Sequence, residues 1–173
     1  MARHYAVNGG KVRKNPMIKP GDFITIFTDA SYCHNTGAWG FGFWAKWNAP
    51  VQTHLGEGGG TGLDGSLRAE MEALLEAMAW VRKLPLEERQ GKILVMQTDC
   101  MGAMPRLEAA LYALLRECGL KKAYFKHVKG HTGNADPRAY VNNLCDKAAR
   151  KQMKMHRSKL AYSGPQTTTE ATT

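Results

Sequence analysis

The sequence predicts an α/β domain: a five-stranded mixed sheet in the order βββαβαβα, flanked by helices. Three observations predict it. Two apolar, β-rich runs, FITIFTD (23–29) and KILVMQTD (92–99), each close on an aspartate. Residues 67–83 and 138–156 carry helical periodicity between clear stops. The chain is 173 residues long and 43% hydrophobic, one-domain length with enough apolar material for a core.

The elements follow in order. After FITIFTD, the turn-like SYCHNTG leads to AWGFGFWAKW (38–47), where Trp39, Phe41, Phe43 and Ala45 alternate with Gly40, Gly42, Trp44 and Lys46, a second strand. VQTHLGEG (51–58) is a third, and the glycine-rich 58–65 is expected to be irregular. Ser66 is placed to cap a helix over 67–83, with Leu67, Met71, Leu74, Leu75, Met78 and Val81 on one stripe and Pro85 beyond its end. KILVMQTD is apolar on both faces, as a central strand is. A helix over 102–118, a fifth strand KKAYFKHV (121–128) and a last helix over 138–156 complete the pattern.

Residues 1–22 mix Gly, Pro, Asn and basic residues without periodicity and are expected to form a flexible basic arm. The domain is expected over 23–159, and the Thr-rich 160–173 as a disordered tail. No apolar run reaches a membrane span and the first residues carry no signal-type core, so the expectation is a cytoplasmic protein. The four cysteines form no CxxC pair, which excludes a disulfide scaffold and a zinc finger.

The net charge of +9 is unevenly spread. Residues 121–160 carry +9 and residues 1–22 carry +4, while 23–120 carry −3. Basic charge around a slightly acidic centre fits a polyanion partner, although a basic surface alone also keeps a protein soluble.

If the strands ending in Asp29 and Asp99 lie parallel and adjacent, both acids emerge at one carboxyl edge of the sheet, where such sheets keep their ligands. A single Asp there could equally cap a turn. On the first helix, Glu70 falls about 70° from the centre of the large-residue stripe, whereas Glu72 and Glu76 fall opposite. Clustered carboxylates need a cation, and an all-oxygen set favours Mg²⁺ or Mn²⁺. Two such ions would stabilise the entering and leaving oxygens of a phosphoryl displacement.

The segments I-F-T-D-A-S (26–31), R-A-E-M-E-A-L (68–74), Q-T-D (97–99), V-K-G-H-T-G (128–133) and C-D-K-A-A-R (145–150) together resemble ribonuclease H, type 1, in that family's order. The resemblance implies a ribonuclease H-like fold and an endonuclease that cuts the RNA strand of an RNA–DNA hybrid with two Mg²⁺, leaving 5′-phosphate and 3′-hydroxyl ends. It implies that Asp29, Glu70, Asp99 and Asp146 hold the metals and that His131 assists. Helix geometry alone sets Asp146 nearly opposite the stripe of Val141, Leu144, Cys145 and Ala148. Ser31, Asn35 and Lys129 are the candidate substrate contacts; Asn35 stands where the family reads RNA 2′-hydroxyls, and it is equally a turn residue. Cys100-Met101 and Gly65-Ser66-Leu67 stand where family members carry groove-reading polar residues. The basic insertion common after the second helix is absent, so duplex grip is expected from the arm and from Arg150, Lys151, Lys154, Arg157 and Lys159. The expected partner is hybrid duplex, with a monomer sufficient. The alternatives are a binding module of the same fold without catalysis and a related DNA nuclease or resolvase.

Overall fold

A computed structural model describes residues 19–129 and 137–162. The expected arm as far as residue 18, His131 with its loop, and the tail from residue 163 lie outside the described residues. After a 3-10 turn at Pro20–Asp22 come β1 (Phe23–Tyr32), β2 (Trp39–Trp47) and β3 (Gln52–Gly60). Then follow α1 (Ser66–Lys83), α2 (Leu86–Arg89), β4 (Ile93–Thr98), α3 (Ala103–Arg106), α4 (Glu108–Glu117), β5 (Lys122–His127) and α5 (Pro137–Tyr162).

The strands form one mixed sheet in the order β3-β2-β1-β4-β5. β1, β2 and β3 pair antiparallel, and β1–β4 and β4–β5 pair parallel. One face packs α1, α3 and α4 over a core in which Ile24, Ile26, Leu74, Met78, Leu94, Met96 and Leu114 are fully buried. The other face takes α5.

Four local expectations are corrected. Gly58–Gly60 belong to β3, paired with Phe41, Gly40 and Trp39 of β2, and a β-carbon at Gly56 or Gly58 would strike the ring of Phe43 or Phe41. Gly65 rather than Ser66 precedes α1, and no side chain caps it. The helix expected over 102–118 is broken at Leu107 into α3 and α4; Pro105, which has no N–H to donate, sits in the first turn of α3, where prolines are tolerated. The last helix, expected over 138–156, spans Pro137–Tyr162.

Candidate active site

Phe27 of β1 pairs with Gln97 of β4, and the strands run parallel. Asp29 and Asp99 each lie two residues beyond that rung, so both emerge at the same carboxyl edge. Asp99 leaves β4 in a turn in which the Cys100 amide donates to Thr98 Oγ1 at 3.1 Å.

Glu70 arrives from α1. The helix buries Ala69, Ala73, Leu74, Ala77, Met78 and Val81. The buried face therefore includes three alanines beside Leu74, Met78 and Val81, which turns its centre toward Glu70. At ~100° per residue, Glu70 lies only about 20° from Ala77, on the buried face rather than at its border. Its neighbours behave as solvated acids: Glu72 pairs with Arg68 at 3.2 Å, and Glu76 is exposed. The loop before α1 is tied to the β1–β2 hairpin by Tyr32 Oη donating to Leu63 O at 2.9 Å and the Gly62 amide to Gly37 O at 3.1 Å.

One carboxylate oxygen from each of Asp29, Glu70 and Asp99 falls within 4.8 Å of the others. Asp29 is only 9% exposed, and Glu70 Oε2 is buried with no hydrogen-bond partner. Burial, followed by the charges of Asp99 and Asp146, pushes the Asp29 carboxyl up to about 7. Burial, then Asp29 and Asp99, pushes Glu70 up to about 8. The Ala30 amide, which donates to Asp29 Oδ1 at 2.9 Å, opposes both shifts. A buried, oxygen-only, mutually repelling set with one orphaned acceptor fits a hard divalent cation.

Asp146 is the fourth expected acid. It lies on the flank of the buried stripe of α5 rather than opposite it. The helix buries Ala139, Cys145, Ala148, Ala149 and Gln152, and by the same geometry Asp146 falls about 60° from Ala149 and about 20° from Ala139. Its side chain is 23% exposed and pairs with Arg150 at 2.7 Å. It is not one of the three whose oxygens converge, yet its charge is felt at Asp29 and so is that of Arg150, with opposite sign.

Two glycines allow this approach. Gly40 and Gly42 of β2 carry α5 directly on the backbone: a β-carbon at Gly40 would overlap the Ala149 carbonyl, and one at Gly42 the Cys145 carbonyl. Gly42 is the register partner of Asp29. The Cys145 thiol donates to Phe27 O at 3.5 Å; burial, then the Asp29 charge, pushes it up to about 12, so it stays a thiol. Farther along, Glu57 of β3 accepts from Lys151 at 2.6 Å and Gln152 at 3.0 Å. Sequence reading passed over Gly40 and Gly42; a close-packing glycine pair within an aromatic strand was the available signal.

Of the candidate substrate contacts, Ser31 is half-buried near the end of β1, Asn35 is exposed in the turn between β1 and β2, and Lys129 is exposed beyond β5.

Among solved structures, a type 1 ribonuclease H, LC11-RNase H1 in complex with RNA/DNA hybrid, matches with a TM-score of 0.59 at 16% identity, covering 76% of this chain and 97% of that one. The chain has the ribonuclease H fold. The type 1 ribonuclease H of the halophilic archaeon Halobacterium salinarum matches with a TM-score of 0.52 at 17% identity, over 77% of this chain and 98% of that one. A foamy viral protease-reverse transcriptase in complex with dsDNA matches with a TM-score of 0.51 at 13% identity, over 81% of this chain and 98% of that one. No family model matches the sequence, and no curated protein does. The ribonuclease H resemblance read from five short segments is thus also a resemblance in three dimensions. No helix among the described residues is long and apolar enough to cross a membrane.

Proposed function

We propose that this chain is a metal-dependent ribonuclease H that hydrolyses the RNA strand of RNA–DNA hybrids and leaves 5′-phosphate and 3′-hydroxyl ends. The observation that carries this reading is the convergence of Asp29, Glu70 and Asp99 within 4.8 Å at the edge of the parallel β1–β4 pair. Asp29, Glu70 and Asp99, with Asp146 beside them, would hold two Mg²⁺ or Mn²⁺ ions. Bound there, such ions supply Lewis-acid stabilisation of the entering and leaving oxygens of a phosphodiester.

The residues do the rest. Without metal, burial pushes the Asp29 and Glu70 carboxyls up to about 7 and about 8, so metal binding must displace their protons and metal affinity should rise with pH. Arg150 keeps Asp146 compensated at 2.7 Å until a stronger cation replaces it. Ser31, Asn35 and Lys129 are assigned to the substrate strand and His131 to proton transfer or product departure, all from the sequence motifs. The exposed cations of α5, Lys151, Lys154, Arg157 and Lys159, supply charge for a phosphate backbone.

Cleavage of end-labelled hybrid, beside duplex RNA, duplex DNA and single strands, with Mg²⁺ and with EDTA, tests the reading. Metal-dependent cutting of the hybrid's RNA strand alone is expected. Hybrid binding without cleavage would replace it with a binding module, and cutting of DNA would replace the substrate.

A further inference from the structure

β1, β4 and β5 run parallel, and strands so paired ordinarily bury both their faces. Here one face is covered by α1, α3 and α4. On the other, α5 rests on β1, β2 and β3, and beside its first turns a groove of about 470 Å³ reaches from β2 to β5.

Register lays out its floor. Lys46 pairs with Thr25, Thr25 with Val95, and Val95 with Tyr124, one row across four strands. Side chains two residues apart along a strand share a face, so Phe23 lies in the row to one side and Lys126 in the row to the other. Lys46 and Lys126 thus stand on opposite rims. Three strand spacings and one row, roughly 16 Å of backbone distance, separate them. Both lysines are exposed and have no ion-pair partner among the described residues, and no carboxylate lines the groove there. Between the rims the sheet offers only uncharged side chains, of which Phe23 and Thr25 are half-buried.

A ligand that meets both lysines must be long, anionic at both ends and apolar in the middle. In an extended peptide, residues i, i+2 and i+4 face one side and span about 13 Å, a gap that two flexible lysine side chains can close. We infer that the groove docks an extended acidic segment of a partner protein: two carboxylates meet Lys46 and Lys126, and an apolar side chain between them covers Phe23 and Thr25. A nucleic-acid strand carries a phosphate on every nucleotide. It would leave one over the uncharged floor, stripped of water with no cation of the sheet to meet it. None of the three converging carboxylates lines the groove, and the inference does not rest on the catalytic reading.

Fluorescence anisotropy on the full chain tests it, with a labelled, end-capped peptide carrying Asp-Ser-Phe-Ser-Asp as the probe. Saturable binding tighter than about 1 mM is expected. Replacing the phenylalanine with serine, or both aspartates with asparagine, should weaken binding by roughly 10-fold or more. Lys46→Glu with Lys126→Glu should weaken it as much. Lys83→Glu with Arg116→Glu, an equal change of charge at exposed positions on α1 and α4, should leave it within about 2-fold. The inference is overturned if the probe does not bind, if the two double variants weaken it equally, or if the peptide without its phenylalanine binds as well. It is overturned too if octauridylate displaces the peptide and loses its own affinity only in the Lys46→Glu, Lys126→Glu variant, which would make the groove a nucleic-acid site.

Discussion

The backbone of Cys145 rests on Gly42: a β-carbon there would overlap the Cys145 carbonyl oxygen and lie 3.0 Å from its Cα. Because Gly42 is the register partner of Asp29, this contact brings the Asp146 segment beside Asp29. Gly42→Ala must push the helix away, at about 1–3 kcal/mol, the usual cost of overpacking. Thermal unfolding should show the loss. Hybrid cleavage, assayed well below the new Tm, should fall at least roughly 10-fold, as misplacing a reacting group implies. Undiminished cleavage would mean that Asp146 need not be held so closely.

Asp29→Asn and Glu70→Gln should each abolish cleavage while hybrid binding persists in Ca²⁺. Full activity in either variant would remove that residue from the metal set. His131→Ala should slow turnover by only ~10–100-fold, as an auxiliary proton group would.

The two buried acids also set a pH dependence of stability. Their ordinary values are 3.8 and 4.5, and in the fold they rise to about 7 and about 8. A raised carboxyl favours the fold while it keeps its proton: the contribution is full below about pH 4 and is lost as pH rises through 7 to 8. In EDTA, Tm should therefore fall between about pH 5.5 and pH 8.5, and Glu70→Gln should shrink that fall. Mg²⁺ should restore Tm most at the alkaline end, where the acids are ionised. A flat metal-free profile would contradict the burial of the pair.

Arg150 lowers the Asp29 carboxyl through its charge and pairs with Asp146 at 2.7 Å. Removing it in Arg150→Ala should raise the metal-free Asp29 carboxyl further, moving its titration, followed by NMR in EDTA, to higher pH. Arg150→Lys should largely restore it. An unmoved titration in the alanine variant would show that the guanidinium does not act on Asp29.

Lys154 and Arg157 are exposed on α5. If they neutralise phosphates, replacing both with alanine should reduce the magnitude of the slope of log affinity against log salt by up to about 2. Binding measured across a salt series gives that slope directly, and no change would place the duplex elsewhere.

Much of the site was legible in sequence. Asp29 and Asp99 announce themselves because β-rich apolar runs seldom close on an acid without a reason, although β1 runs on past Asp29 to Tyr32 and only Asp99 follows a strand's end. The glycine run was misread because composition cannot show that the rings of Phe41 and Phe43 fill the space above β3. The α3–α4 break was also missed, since helical periodicity runs on past Pro105.

Glu70 and Asp146 were misplaced for one shared reason. Large apolar residues dominate a periodicity argument, yet buried alanines widen the inward face of both helices, and each acid lies about 20° from one of them. By itself the sequence determined the order of elements, the two acids that close the apolar runs and the basic charge of the last helix. These are local properties, written in period and composition. Tertiary structure alone decided that three carboxylates converge within 4.8 Å and that Arg150 holds the fourth. It alone decided, too, that Gly42 lets a helix touch the sheet. Convergence depends on how closely elements pack, and that closeness is set by side chains that are missing or small, which a pattern of large residues does not register.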